Sequence, residues 1–334
     1  GTPGVFGNVA LGDMQFSLGE WVFVNLGATN QVATIDPLTE ATPVHEVNLT
    51  AGTRPVHIYR DPTDREVMWI MNDGNNAAGT PGQGDDLINC NNPARVGGAV
   101  EGSSVTIIHN SHLGPGATPP TVERTVCVLA DGHKVAAFSQ PIANDPNIPR
   151  RVFVSSSTAG EIAVIDNTPV PGADPDWRLI SRIDLCDPSK EANPATCDVE
   201  SPTGTTPFTI NSSNPHGIRF SQQTGKVYSI QETYRTIVEI DPLTYTVTEV
   251  ADLSATPYTA FGISPDGRFL ILRGSSAAPF GTRLGIIDLA IAGNPRTIRD
   301  LTIPELDGAG PGAFKFSPDG QRFFIVASNT SPTK

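Results

Sequence analysis

Ser264-Pro265-Asp266-Gly267-Arg268 stands between two apolar, alternating runs, and the same mark returns as Ser317-Pro318-Asp319-Gly320-Gln321. Phe314-Lys315-Phe316 leads into the second copy and Phe323-Phe324-Ile325-Val326 leads out of it. Proline fixes φ at the first turn position, the aspartate side chain bonds its own backbone, and glycine takes the positive φ. The mark therefore reads as a tight hairpin between two strands. Looser copies sit at Ser17-Leu18-Gly19-Glu20, Asp61-Pro62-Thr63-Asp64, Ser139-Gln140-Pro141 and Ser221-Gln222-Gln223-Thr224-Gly225. Repeats of roughly 40–50 residues built from strands alone imply an all-β fold, a β-propeller of four-stranded blades.

A second mark agrees. Ile35-Asp36-Pro37-Leu38-Thr39 reappears as Ile240-Asp241-Pro242-Leu243-Thr244, with Ile165-Asp166-Asn167 and Ile287-Asp288-Leu289 as relatives. Each closes a run rich in apolar and β-branched residues. The unit reads as inner strand, Ser-Pro-Asp-Gly turn, second strand, loop, third strand ending in Ile-Asp, turn, fourth strand. Helical spacing of apolar residues is almost absent, and 32 Gly with 30 Pro leave little room for long helices.

Laid along the chain, the unit gives blades at about 10–49, 53–129, 132–185, 215–252 and 257–303, with an incomplete blade at 311–329. Insertions interrupt it at 72–102 and 186–207, and the whole, 1–334, is expected to act as one domain. That is about five and a half blades. An open ring exposes strand edges, so closure is expected from one to two further blades, seven in all, or from another chain.

The pattern resembles the YVTN-type seven-bladed propellers over nearly the whole chain. The resemblance rests on Val22-Phe23-Val24-Asn25, the two Ile-Asp-Pro-Leu-Thr copies, the Pro-x-Gly-like starts of the inner strands and the Ser-Pro-Asp-Gly turns. It implies the fold and leaves the activity open, because propellers host enzymes, binding scaffolds and redox proteins alike.

A net charge of −13, with only 5 Lys among 22 basic residues, argues against nucleic acid and anionic membrane surfaces as partners. No run of 18 apolar residues exists, so no transmembrane segment is expected. The start at Gly1 fits a processed mature form. Four cysteines point the same way, to an extracellular, cell-surface or periplasmic location. Each pair is local to one blade or the loop leaving it, which favours Cys90–Cys127 and Cys186–Cys197 among three connectivities. No Cys-x-x-Cys-His occurs, which excludes covalent c-type haem, and the spacing of zinc modules is missing.

Candidate chemistry gathers where inner strands begin, which in a propeller is the mouth of the central channel. His57 follows Arg54-Pro55-Val56, His133 follows Asp131-Gly132, and His216 follows Asn214-Pro215. Tyr258 follows Pro257 in the same way, and alignment by proline makes it equivalent to His216. Radial symmetry turns such side chains toward one axis, where three imidazoles could hold a single copper, zinc or iron ion. The plainer role for each is a turn hydrogen bond or a plug in the channel. Asn214-Pro215-His216-Gly217-Ile218 resembles the Pro-His-Gly-Val strand starts of the nitrous oxide reductase propeller, whose histidines hold a copper cluster. This sequence lacks that family's paired His-His motif and offers too few ligands for such a cluster. His109 and His112 form His-x-x-His at a strand end, but residues three apart on a strand face opposite sides. His45 starts a fourth strand and is expected to be solvated.

The 72–102 insertion offers oxygen ligands for Ca²⁺ in Asp73, Asn75, Asp85 and Asp86, without the spacing of an EF-hand. The 186–207 insertion could form a rim for a partner. No Gly-x-Ser-x-Gly elbow or phosphate-cradling loop is present, so nucleophilic catalysis finds no support. Lactonase-like propellers, a weaker resemblance, use channel-mouth acids, His and Arg; candidates here are Arg54, His57, His133, His216 and Tyr258. The sequence thus points to an exported binding or assembly scaffold with a protein partner or larger extracellular assembly. The rivals are a metal-binding redox propeller and a lactonase-like hydrolase.

Overall fold

The computed structural model describes residues 11–16, 21–35, 45–49, 54–73, 102–110, 119–129, 133–197, 211–274, 282–304, 309–317 and 319–329. Within them the chain is all-β, with one 3-10 turn at Pro194–Thr196 and no α-helix. Sequence-consecutive strands form each antiparallel sheet. The first sheet is β1 (Leu11–Phe16), β2 (Val22–Leu26), β3 (Gln31–Ile35) and β4 (His45–Asn48). The second is β5 (Pro55–Arg60), β6 (Met68–Asn72), β7 (Gly102–His109) and β8 (Thr121–Leu129). The third is β9 (Lys134–Ser139), β10 (Arg151–Ser156), β11 (Glu161–Asp166) and β12 (Leu179–Asp184). The fourth is β13 (Pro215–Phe220), β14 (Val227–Gln231), β15 (Thr236–Ile240) and β16 (Val247–Asp252). The fifth is β17 (Tyr258–Ile263), β18 (Phe269–Gly274), β19 (Arg283–Asp288) and β20 (Arg299–Thr302). A two-stranded sheet, β21 (Ala309–Phe316) and β22 (Phe323–Asn329), follows.

The Ser-Pro-Asp-Gly turns explain the hairpins atom by atom. Between β17 and β18, Gly267 N donates to Ser264 O at 2.8 Å with Gly267 at φ +74°. Ser264 Oγ donates to Asp266 Oδ1 and accepts from Phe269 N, while Arg268 N donates to Asp266 Oδ1. The second copy repeats these bonds with Ser317, Asp319, Gln321 and Arg322. Both turn carboxyls sit below their ordinary pKa, chiefly because a serine hydroxyl donates to them. At the second mark, Leu243 N and Thr244 N both donate to Asp241 Oδ1, and Lys226 pairs with the other oxygen.

Contacts divide the chain into two compact units: residues 1–138 with 152–211, and residues 139–151 with 212–334. In the first unit all five residues of β6 are buried, and period-2 geometry explains how. Trp69 and Met71 join a cluster with Val152, Val154, Ala163 and Ile165 of the third sheet. Met68 and Ile70 face the other way, onto Trp21, Phe23, Val32 and Val47 of the first sheet. A strand sandwiched between two sheets must be apolar on both faces, hence Met-Trp-Ile-Met without alternation. In the second unit, Tyr228, Ile230, Val250, Tyr258, Phe261 and Leu272 form the corresponding core of the fourth and fifth sheets.

A polar clasp crosses the first of these cores. Asp61, 2% exposed, accepts from Trp69 Nε1 at 2.9 Å and Asn167 Nδ2 at 2.8 Å through Oδ2. Its Oδ1 takes Thr63 N, Thr63 Oγ1 and Asp64 N. Asn167 Oδ1 in turn accepts from Trp177 Nε1. The disulfide Cys186–Cys197 closes the loop after β12. Cys127 is also disulfide-bonded, and Cys90, its expected partner, lies outside the described residues.

Candidate functional site

In the first unit, the start of β5 and the end of β6 build the site together. Arg54 takes a left-handed conformation at φ +52°, with its N–H bonded to Asn30 Oδ1 at 2.9 Å. This turns its carbonyl toward the end of β6, where it accepts from Asp73 N at 3.1 Å. Pro55 then stands opposite Asn72, and His57 opposite Met71, with Val56 taken up in an irregularity of the ladder. Asp73 is buried, and its carboxylate reaches the start of the third sheet. There Oδ1 accepts from Lys134 N at 3.1 Å, and Oδ2 lies 3.2 Å from His133 Nδ1.

The other nitrogen of His133, Nε2, lies 3.1 Å from His57 Nε2, the two rings meeting edge to face. A buried carboxylate thus fixes the tautomer and orientation of one partly exposed imidazole, whose far nitrogen meets a second imidazole. Of the three imidazoles expected to converge, His57 and His133 are brought together in the first unit, while His216 belongs to the second. Asp73, expected as a calcium ligand, directs Oδ1 to Lys134 N and Oδ2 to His133 Nδ1. The other calcium candidates, Asn75, Asp85 and Asp86, lie outside the described residues.

The second unit holds a related arrangement around His216. Asn214, at φ +53°, accepts through its carbonyl from Glu232 N at 3.1 Å, just beyond β14. His216 Nδ1 lies 2.6 Å from Glu232 Oε1 and 3.2 Å from Thr259 O, while Asn214 Nδ2 donates to Glu232 Oε2. The Glu232 carboxylate raises the His216 pKa above its ordinary value against the opposing effect of burial. Burial lowers the pKa of Arg273 nearby. Glu232 is a site residue that sequence reasoning missed. The available signal was positional: an amide residue and an acid directly after an apolar second strand, Asn72-Asp73 and again Gln231-Glu232.

Tyr258 is placed differently from the proline-based alignment. Ladder register sets Tyr258 opposite Gly274, the position that Pro215 holds opposite Gln231, one residue before His216. That shift lays the ring over the sheet, where its hydroxyl donates to Asp300 of β20. Gly285 makes the room, since a Cβ there would lie 2.8 Å from Tyr258 Cζ. Burial, reinforced by Asp300, pushes the phenol pKa up.

The remaining histidines are engaged locally. His109 stands between Glu66 (3.0 Å from Nε2) and Asp174 (3.4 Å from Nδ1), and its intended partner His112 lies outside the described residues. His45 stacks on Trp21 rather than standing fully in solvent. Among the described residues, no three or more His, Cys, Asp or Glu side chains gather in a metal-holding group. None of the described helices is long and apolar enough to cross a membrane.

No family model matches the chain, and no curated protein matches it. Solved structures do. A catalytically inactive virginiamycin B lyase from Staphylococcus aureus with quinupristin superposes with a TM-score of 0.55 at 12% identity, over 96% of this chain and 78% of its own. A protein described as a 6-phosphogluconolactonase from Bacteroides uniformis gives 0.51 at 11% identity, over 92% and 70%. Hydrazine synthase from Kuenenia stuttgartiensis gives 0.51 at 10%, over 95% and 83%. At such identities the likeness establishes architecture and no activity. The chain has an all-β, propeller-type fold.

Proposed function

We propose that this is an exported propeller of the binding type, which engages its ligand at the inner-strand starts of the first unit. One observation carries the reading. His57, Asp73 and His133 come from three separate segments: main-chain bonds to Arg54 and Lys134 hold the buried Asp73, which backs His133 Nδ1, while His133 Nε2 meets His57 at a partly exposed point. Rigid strands presenting a small set of convergent polar groups are what a selective binding site requires. Export is supported by the Cys186–Cys197 bridge, since such bonds persist in oxidising compartments. A protein partner or larger extracellular assembly is the setting in which such a propeller acts as a scaffold.

Histidine footprinting tests this. Diethylpyrocarbonate modification is measured by peptide mass spectrometry on the purified protein, with and without the exported fraction of its host. Modification of His57 and His133 is expected to fall several-fold in that fraction while His45 is unchanged. Equal modification with and without it overturns the reading.

A second reading, hydrolase or lyase chemistry of the kind named for the structural neighbours, has one observation in its favour. His216, oriented by Glu232, has the carboxylate–imidazole geometry of a general base. Turnover of a lactone panel, abolished in His216→Gln, supports it; no turnover by the wild-type protein removes it.

A further inference from the structure

We infer that His57 and His133 form a two-imidazole site for one borderline divalent transition-metal ion, copper(II) or zinc, with Asp73 holding His133 from behind. The inference rests on the binding reading above and names its ligand class.

Distance is the first argument. Two imidazole nitrogens bound to one metal at about 2.0–2.1 Å lie about 2.9 Å apart at a right angle and about 3.3 Å apart at a tetrahedral angle. His57 Nε2 and His133 Nε2 are 3.1 Å apart, inside that interval. Ring orientation is the second. Metal-bound histidines characteristically give their other N–H to a carboxylate, which sets the tautomer and raises the basicity of the ligating nitrogen. Asp73 stands in that position toward His133, its Oδ2 lying 3.2 Å from Nδ1.

Donor chemistry is the third. Imidazole nitrogen suits zinc, copper and their neighbours, whereas calcium takes oxygens. The carboxylate seen at this point is Asp73, whose oxygens face His133 Nδ1 and Lys134 N. Rigidity is the fourth, for His57 lies within β5 and His133 directly precedes β9. No third His, Cys, Asp or Glu ligand stands with them among the described residues, so the two imidazoles are the ligands on which the inference rests. The other described histidines of the first unit lack this arrangement: both His109 nitrogens face carboxylates, and His45 stacks on Trp21.

A shared proton is the competing explanation, because one Nε2–H donating to the other ring also fits 3.1 Å. Metal and proton compete for the same lone pair, and titration separates them. Metal-free full-length protein is titrated with zinc by calorimetry and with copper(II) by electron paramagnetic resonance. The variants are His57→Ala, His133→Ala, their Gln counterparts, Asp73→Asn and the control His45→Ala, each checked by circular dichroism.

One equivalent should bind to the wild-type protein, with nitrogen couplings in the copper spectrum. Binding should weaken roughly a hundredfold or more in the His57 and His133 variants and about 10–100-fold in Asp73→Asn, and stay unchanged in His45→Ala. No stoichiometric metal on the wild-type protein, or folded Gln variants that bind as it does, overturns the inference. Failure here, with footprint protection that survives chelation of the exported fraction, removes the metal and leaves the binding reading standing. Metal binding without any protection in that fraction removes the binding reading alone.

Discussion

Replacing Asp61 should cost far more than replacing an exposed turn aspartate such as Asp166. The carboxylate is 2% exposed and accepts five hydrogen bonds, two of them from groups that are themselves buried, Trp69 Nε1 and Asn167 Nδ2. In Asp61→Ala those two donors lose their acceptor inside a core that water does not reach. Each orphaned buried donor costs about 1–3 kcal/mol, so the pair sets a loss of about 2–6 kcal/mol. The donors of Thr63 and Asp64 lie in the turn and can turn to solvent, so they add little. Asp61→Asn keeps the shape but aims an amide NH₂ at one set of donors, and should fall in the lower half of that range.

Asp166 is the matched control. It also accepts from a backbone N–H and a hydroxyl, those of Thr168, but at an exposed site. Asp166→Ala should stay within about 1 kcal/mol, as surface changes do. Urea unfolding followed by tryptophan fluorescence reads the effect directly, because Trp69 and Trp177 both end in this network. Asn167→Ala in a double-mutant cycle with Asp61→Ala should be clearly non-additive, since the two share one hydrogen bond. An Asp61→Ala midpoint within error of Asp166→Ala would refute the argument and reduce Asp61 to an ordinary turn residue.

Gly267→Ala and Gly320→Ala, at the same position of the two Ser-Pro-Asp-Gly turns, should separate. Both pay about 1–2 kcal/mol for a left-handed alanine, but a Cβ at 267 lies 2.5 Å from the Gln222 backbone N, whereas at 320 its nearest neighbour is at 3.6 Å. The urea midpoint should therefore drop further for Gly267→Ala, and equal drops would count against the packing. His216, whose pKa is raised by Glu232, should contribute stability that is fully present below its ordinary value of 6.5 and is lost as pH rises through the folded value. The stability gap between wild type and His216→Gln should accordingly narrow from pH 6 to pH 9; a gap that widens reverses the assignment. Opening the Cys186–Cys197 bridge, which spans 11 residues, should cost about 2–3 kcal/mol on the loop-closure estimate, read as the midpoint shift of Cys186→Ser with Cys197→Ser.

What the sequence made legible was local. A Ser-Pro-Asp-Gly turn is recognisable because its side chains bond the backbone two to five residues away, and the strands on either side follow from it. The Cys186–Cys197 pairing was legible for the same reason, since both residues belong to one loop. Reach across sheets was not. Asp61 reads as another turn aspartate, and nothing near it in sequence announces Asn167, 106 residues on. Asp73 reads as one more oxygen in a polar insertion until the start of the third sheet is set beside it. Tyr258 was misplaced because Pro257 stands one ladder position earlier than Pro215: the irregularity after Tyr258 matches the one after Pro215, so Thr259 and not Tyr258 takes the place of His216.

The two histidine–acid pairs arise from one backbone device, and the difference between them is one of register. In both, a residue at positive φ precedes a proline, and its carbonyl takes the N–H of an acid just past the second strand: Arg54 with Asp73, Asn214 with Glu232. Each acid is thereby parked beside the start of its own inner strand. His216 falls in the ladder irregularity directly after Pro215, within reach of the longer Glu232 side chain of its own sheet. His57 falls one residue later, opposite Met71, and the shorter Asp73 binds instead the histidine that begins the next sheet. That exchange leaves His57 facing the ring of His133 rather than a carboxylate. The device thus yields a closed histidine–glutamate pair in the second unit and, in the first, a carboxylate-backed pair of imidazoles whose Nε2 atoms stand 3.1 Å apart, the spacing two ligands of one metal ion require.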